Sequence, residues 1–393
     1  MLFHLGKLCE QVLVNKLKSC IQNFISANQF AYRPKTGTTD AILKLIDDVT
    51  SDLDSFKYDY VQMASVDFSK AFDKLQPQIV LDKMRKLGVN ENILDIIDDF
   101  LQRRKQCVKL NECFSEYIDV FVGAPQGTKL GPILWLFYVN DLELDNFNVI
   151  KYADDTSFYK AFDKQGGSVA QAISHTQQWA DDNFMLLNPE KTMIINFLIN
   201  YKHVYDQVVI LDHDVSIFPS KEVKFLGVTL DDHLTFSSHV DYIVSSCNSK
   251  LYLLRQLKKL GMNSDGLKRF FTANIRSIIS YAAPAWFSIL SDFDKGRLER
   301  IQRSATRTIL PDLSYEERLS FLVLPTIKDF ICDISAKHFL KIADDPTHPL
   351  FNYIQRNTCR MSSRKPTIFR PELCRTTKRA KSFFQFFMSF FNT

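Results

Sequence analysis

Val149-Ile150-Lys151-Tyr152-Ala153-Asp154-Asp155-Thr156-Ser157-Phe158-Tyr159 sets two adjacent aspartates between runs of apolar and β-branched residues. The pattern predicts a β-hairpin with Asp154 and Asp155 at its turn. Aspartates in a hairpin are ordinary turn chemistry, so the pair says little alone. Upstream, Tyr60-Val61-Gln62-Met63-Ala64-Ser65-Val66 reads as a buried strand that ends at Asp67. Adjacent strands lie about 4.8 Å apart, so pairing this strand with the hairpin gathers three carboxylates at one sheet edge. Such a cluster repels itself unless cations neutralise it, which makes a divalent metal its natural occupant. Magnesium takes oxygen ligands, and two ions about 3.5–4 Å apart suit in-line phosphoryl transfer.

Elements continue on both sides. Leu8, Val12, Leu13, Leu17 and Ile21 recur at helical spacing, and Thr38-Thr39-Asp40 can cap a helix over 41–49. Helical pattern is expected over 78–87, 92–103 and 168–184, and strands over 106–110, 117–122, 193–197 and 223–230. Beyond His239, Val244, Cys247, Leu251, Leu254 and Leu257 form one helical stripe, with Gly261 as its stop. Tyr281, Pro284 and Trp286 read as core packing. Strand–helix alternation followed by helices predicts an α+β body with a helical appendage.

A chain of 393 residues can bury a sizeable core and divide into two or three subdomains. No apolar run approaches the roughly 20 residues of a membrane-spanning helix, so no membrane partner is expected. The N-terminus shows no secretory pattern, and the eight cysteines lack disulfide-framework or zinc spacing. An intracellular, reduced protein is expected. The net charge of +4 is uneven: residues 351–393 carry nine Lys or Arg against Glu372 alone. Residues 241–310 carry twelve basic and five acidic side chains. An acidic half beside a basic half suits a protein that holds a polyanionic backbone near carboxylates. A solvated basic tail is the plain alternative.

The flanks of the aspartates carry a family resemblance. Val66-Asp67-Phe68-Ser69-Lys70-Ala71-Phe72-Asp73 resembles the first palm motif of reverse transcriptases from non-LTR (LINE-type) retrotransposons. Gly123-Ala124-Pro125-Gln126-Gly127-Thr128-Lys129-Leu130-Gly131-Pro132 resembles the second, and Tyr152-Ala153-Asp154-Asp155 the third. Leu187-Asn188-Pro189-Glu190-Lys191-Thr192 resembles the fourth, and Phe225-Leu226-Gly227-Val228-Thr229-Leu230-Asp231 the fifth. The loop from Asn28 to Thr39 is similar to the element before the palm. The variants look most like the jockey-like group.

That resemblance implies a right-hand polymerase: an antiparallel palm sheet with partial fingers at 1–232, a helical thumb at 233–312 and a basic C-terminal segment at 313–393. It implies an RNA-directed DNA polymerase, a nucleotidyltransferase that uses two Mg2+ ions, an RNA template, a DNA primer or target and deoxynucleoside triphosphates. Asp67 and Asp154 would be the principal metal ligands, with Asp155 a less essential one. Lys191 would stabilise or protonate the leaving pyrophosphate, although a surface lysine is the competing account. Arg33, Phe68, Ser69, Phe72, Gln126 and Gly127 would meet the nucleotide, the Phe72 ring excluding a 2′-hydroxyl by sterics. Backbone N–H groups of Ser69, Lys70 and Ala71 are candidates for the triphosphate.

Phe225, Leu226 and Gly227 would seat the primer end. Lys250, Arg255, Lys258 and Lys259, with Lys268 and Arg269, would track duplex phosphates. The tail, including Asn357, Arg375 and Ser382-Phe383-Phe384, would hold template or pack as an amphipathic segment. Its phenylalanine run would be an aggregation hazard if exposed. The match begins inside the family's fingers, so an N-terminally truncated relative of doubtful activity is expected. A catalytically impaired nucleic-acid-binding remnant is the alternative function. The family's target-primed synthesis implies a nuclear location when active.

Overall fold

The computed structural model describes residues 4–164, 166–198, 209–211, 215–355 and 368–392. Its centre is a five-stranded sheet of β1 (Tyr60–Val66), β2 (Asn148–Tyr152), β3 (Asp155–Phe162), β4 (Met193–Leu198) and β5 (Pro219–Ser220), in the order β5-β4-β1-β3-β2. β1 runs antiparallel to both β3 and β4, and β5 is parallel to β4. Beside it stands the hairpin of β6 (Glu222–Phe225) and β7 (Val228–Asp231). Where an unbroken strand over 223–230 was expected, Leu226 and Gly227 turn the chain, both with positive φ.

Side chains alternate across a strand, so the sheet sorts its residues onto two faces. Val61, Met63, Tyr159, Ile195 and Phe197 face the core shared with α2 (Thr38–Asp54). Val66, Phe158 and Val149 face the opposite core, with α3 (Leu130–Val139) and α4 (Ala170–Asp182). α3 is apolar all round and is buried accordingly. α2 starts earlier than expected: Gly37 caps it, and the Asp40 carboxylate, not a threonine, accepts the Gly37 N–H at 2.8 Å. α1 (His4–Phe24) buries Leu13 and Leu17 but leaves Leu8 and Val12 exposed, so its anticipated stripe is only partly an inner face.

The loop before α2 is part of the sheet. Phe30 N–H donates to Lys151 at 2.9 Å and Lys151 N–H donates to Asn28 at 2.8 Å, a parallel bridge along the outer side of β2. Between 102 and 122 the chain leaves the body as two short ribbons, Arg104–Gln106 with Ile118–Val120 and Lys109–Leu110 with Cys113–Phe114. They display Leu110, Phe114, Tyr117 and Phe121 to solvent.

The helical appendage packs α5 (Ser237–Lys259) against α6 (Asp292–Ile309). Cys247, Leu251 and Leu254 are buried, and Gly261 ends the helix with φ +85°. The chain continues through α7 (Ile327–Ala343) to α8 (Phe383–Phe390). The phenylalanine run is mostly core: Phe383, Phe384, Phe387 and Met388 are buried, and Phe339 of α7 stacks 5.5 Å from Phe391. Buried Arg379 pairs with Asp47 of α2 at 2.6 Å and with Glu372 at 2.8 Å. The Asp54 carboxylate accepts the Arg375 and Thr376 amides at 3.0 and 2.6 Å. Of the two accounts of the tail, these contacts are those of packing; Asn357 lies outside the described residues. No described helix is long and apolar enough to cross a membrane.

Candidate active site

The ladder between β1 and β3 ends at Val66↔Thr156, so Asp67, the first residue past β1, comes next to Asp155, the first residue of β3. Below them on the same face lies Ser65 opposite Ser157, their hydroxyls 3.1 Å apart, and then Met63 opposite Tyr159. The face thus grades from carboxylates through small hydroxyls into core. The hairpin differs from expectation in one respect: Tyr152 pairs with Asp155, so the turn is Ala153-Asp154 and Asp155 already begins β3. Ala153 carries the positive φ (+57°) that a two-residue hairpin turn requires.

Two side chains that sequence reasoning missed hold that turn. Gln29 Oε1 accepts the Ala153 N–H at 3.3 Å, and the indole of Trp135 donates to the Ala153 carbonyl at 2.7 Å. Lys151, fully buried, donates to the Val139 and Asn140 carbonyls and pairs with Glu143 at 3.0 Å. A buried non-glycine in the left-handed region persists only when its surroundings fix it. A lysine inside an apolar strand was the one visible hint of this anchoring.

The fourth motif comes alongside by backbone pairing. Phe68 bridges Leu187: Asn188 N–H donates to Asp67 at 2.9 Å and Ser69 N–H to Leu186 at 2.8 Å. Lys191 Nζ thereby reaches Asp67 Oδ2 at 3.0 Å. Asp67, Asp155, Glu190, Lys191, Lys224 and the Phe225–Gly227 turn line one cleft of about 420 Å3. Burial, then the charges of Asp154 and Asp67, push the Asp155 carboxyl up to about 6. The hydrogen bond to Asp67 raises the Lys191 ammonium. Among the described residues no three His, Cys, Asp or Glu side chains form a ready-made metal cage. The donor chemistry nevertheless fits a hard divalent cation: oxygen ligands at strand ends, with negative charge that the Lys191–Asp67 pair offsets in part.

The remaining expected residues divide. Phe72 lies half-buried on the Trp135 ring at 5.5 Å, and Ala124 N–H donates to its carbonyl at 2.8 Å. That bond draws in the loop bearing exposed Gln126 and Gly127, where Gln126 donates to Asp73 at 3.0 Å. A Cβ on Gly123 would sit 2.7 Å from the Asp73 carbonyl oxygen, so this approach needs a glycine. The Phe68 ring, by contrast, is core between Trp135 and Trp179, and the Ser69 N–H is already spent on Leu186. Neither group is open to a nucleotide as drawn from the sequence. Arg33 donates to the Ser26 carbonyl at 2.9 Å, and burial lowers its guanidinium.

On the primer side the Phe225 ring is buried, and Leu226 and Gly227 line the cleft beside it. Arg255 and Lys259 are exposed and Lys250 half-exposed. Lys258 is not available: its ammonium donates to Thr308 and Ile309 carbonyls at 2.6 and 3.3 Å, capping α6. Tyr281 is not core either; it is 42% exposed, with its hydroxyl on the Leu226 carbonyl at 2.8 Å. Pro284 and Trp286 are buried as expected.

A family model described as reverse transcriptase (RNA-dependent DNA polymerase) matches residues 1–230. Among curated proteins, the RNA-directed DNA polymerase from mobile element jockey of Drosophila melanogaster is 27% identical over 261 residues, 63% of this chain and 28% of that protein. The probable RNA-directed DNA polymerase from transposon BS of the same fly is 23% identical over 325 residues, 79% of this chain and 35% of that one. The chain spans about a third of the length of these relatives. A telomerase from Candida albicans, solved with a telomeric RNA fragment, aligns with TM-score 0.43 and 13% identity over 80% of this chain and 56% of that one. With the antiparallel sheet and helices described above, the fold is the α+β right-hand polymerase class, and the chain belongs to the reverse transcriptase (RNA-dependent DNA polymerase) family.

Proposed function

We propose that this chain is the RNA-directed DNA polymerase of a non-LTR retrotransposon. It extends a DNA primer on an RNA template, from deoxynucleoside triphosphates, with two magnesium ions. The observation that carries this reading is the meeting of Asp67 and Asp155 at the end of the β1–β3 ladder, beside the Asp154 turn, in a cleft shared with Lys191 and the Phe225–Gly227 turn. A pair of magnesium ions bound there would activate the primer hydroxyl and neutralise phosphate charge.

The protein's own part is positioning. Asp67 and Asp154 hold the ions, with Asp155 alongside. Lys191 leaves Asp67 to deliver a proton from Nζ to the departing pyrophosphate. The half-buried Phe72 ring forms a wall under the sugar, and Gln126 offers an amide that both donates and accepts. Arg255 and Lys259 meet the phosphates of the product duplex. Synthesis primed on chromosomal DNA would place the protein in the nucleus.

Primer extension on poly(rA)–oligo(dT) tests the reading. Magnesium-dependent incorporation is expected, with Asp154→Ala abolishing it while duplex binding stays within about twofold. Incorporation by Asp154→Ala at the parental rate would overturn the site. Duplex binding without any incorporation by the parent would make the chain a nucleic-acid-binding remnant.

A further inference from the structure

Tyr281 stands where three elements meet, and the backbone around it is built to hold it there. A π-helical turn (Thr272–Arg276) runs into the short helix Ser277–Ser280, and Ala282 follows with φ +49°. Pro284, in the first turn of the next short helix, lacks the N–H that a continued helix would need. Fully buried Trp286 donates its indole N–H to the Tyr281 carbonyl at 3.2 Å. The main chain is thus fixed from behind while the phenol projects forward.

What the phenol touches is the turn of the β6–β7 hairpin. Its hydroxyl donates to the Leu226 carbonyl at 2.8 Å and lies 3.2 Å from Thr38 Oγ1, at the start of α2. Its ring covers Gly227 so closely that an added Cβ there would come within 3.1 Å of Cε1. Leu226 has φ +45° and Gly227 φ +84°. A leucine in the left-handed region needs outside support, and Tyr281 supplies a hydrogen bond and a ring contact to it and its neighbour. Leu226 and Gly227 line the same cleft as Asp67 and Asp155. One side chain therefore joins the appendage, the first turn of α2 and a turn that lines the carboxylate cleft.

We propose that Tyr281 is a positioning residue for the primer end: through its hydroxyl and ring it sets the distance of the Leu226-Gly227 turn from the carboxylate cluster. The inference rests on the polymerase reading above. Misplacing a reacting group by about 1 Å can cost around a hundredfold, so a single bond to this turn is expected to register in rate.

The test is single-nucleotide extension of a preformed primer–template by excess enzyme, in which rate and amplitude are read separately. Tyr281→Phe keeps the ring and loses the hydroxyl; its rate should fall by about three- to tenfold, the weight of one hydrogen bond. Amplitude, melting temperature and duplex affinity should stay at the parental values. Tyr281→Leu, which also loses the ring contact, should be slower still. A parental rate for Tyr281→Phe overturns the inference, and so does reduced amplitude at unchanged rate, which marks a purely structural residue. If the parent binds duplex but extends nothing, the polymerase reading has failed instead. Amide exchange at residues 226–228 then decides: faster exchange in Tyr281→Phe at unchanged melting temperature upholds the anchor, and equal exchange removes it.

Discussion

Lys191 and the Asp67 carboxylate form a 3.0 Å ion pair at the mouth of the cleft, so the lysine and any bound cation share one ligand. Its replacement should have two opposed effects. Lys191→Met should slow extension by about a hundredfold or more if the ammonium delivers a proton, yet lower the magnesium concentration needed for half-maximal rate. Lys191→Arg keeps the charge but not the transferable proton and should be equally slow; full activity in that variant would reduce the role to charge alone. A magnesium titration of each variant measures both effects. His239 allows a pH prediction. Burial, then the nearby Lys224 charge, lowers its imidazole to about 4, and Nδ1 accepts the Thr229 N–H at 3.4 Å. The folded chain thus refuses a proton that the unfolded chain accepts below about 6.5. This contribution is fully present above that value and is lost as pH falls toward 4. His239→Gln should therefore flatten the fall in melting temperature between these limits; an unchanged slope would show that other groups set it.

The basic face of α5 was legible in the sequence as charge, but not in its allocation. Spacing cannot say that Lys258 bends back onto the last carbonyls of α6, because that partner lies some fifty residues ahead and the helices meet only on folding. Arg255→Ala and Lys259→Ala should each lessen the salt dependence of duplex affinity by about 0.9 in the log–log slope. Lys258→Ala should leave that slope alone and lower stability by about 0.3–1 kcal/mol, the value of a cation at a helix C-terminus; salt titrations and denaturant midpoints read the two outcomes. Strands told a similar story. The buried run Tyr60–Val66 and the hairpin pattern revealed β1, β2 and β3 and the gathering of the carboxylates at one edge, but not that Asp155 leaves the turn to begin β3 beside Asp67. The engagement of the Ser69 N–H with Leu186 and the burial of Phe68 stayed hidden, because one follows from pairing beside the fourth motif and the other from Trp135 and Trp179, far along the chain. Gln29 and Trp135 were equally invisible as turn anchors, since their hydrogen bonds go to one backbone unit far along the chain.

At the scale of the molecule, the C-terminal segment closes the structure. Charge left open a tail for nucleic acid or a solvated basic segment, yet Arg379 is 4% exposed and committed to Asp47 and Glu372. Arg379→Met should cost about 3–5 kcal/mol, since it strands the Asp47 carboxylate in a buried site. The double variant Asp47→Leu/Arg379→Met should recover most of that loss, and urea midpoints for the set would show it. The ribbons between 102 and 122 stand at the other extreme. Each is paired as two strands only, and an isolated two-stranded hairpin is only marginally stable in water. β1 comes before them in the chain, while β3 and β4, to which it is zipped, come after. A protease that nicks the arm beside Lys105 or Lys109 therefore cuts the polypeptide without releasing either piece. The same loop is the natural place to divide the gene, so that two separately expressed fragments could reassemble around the shared sheet.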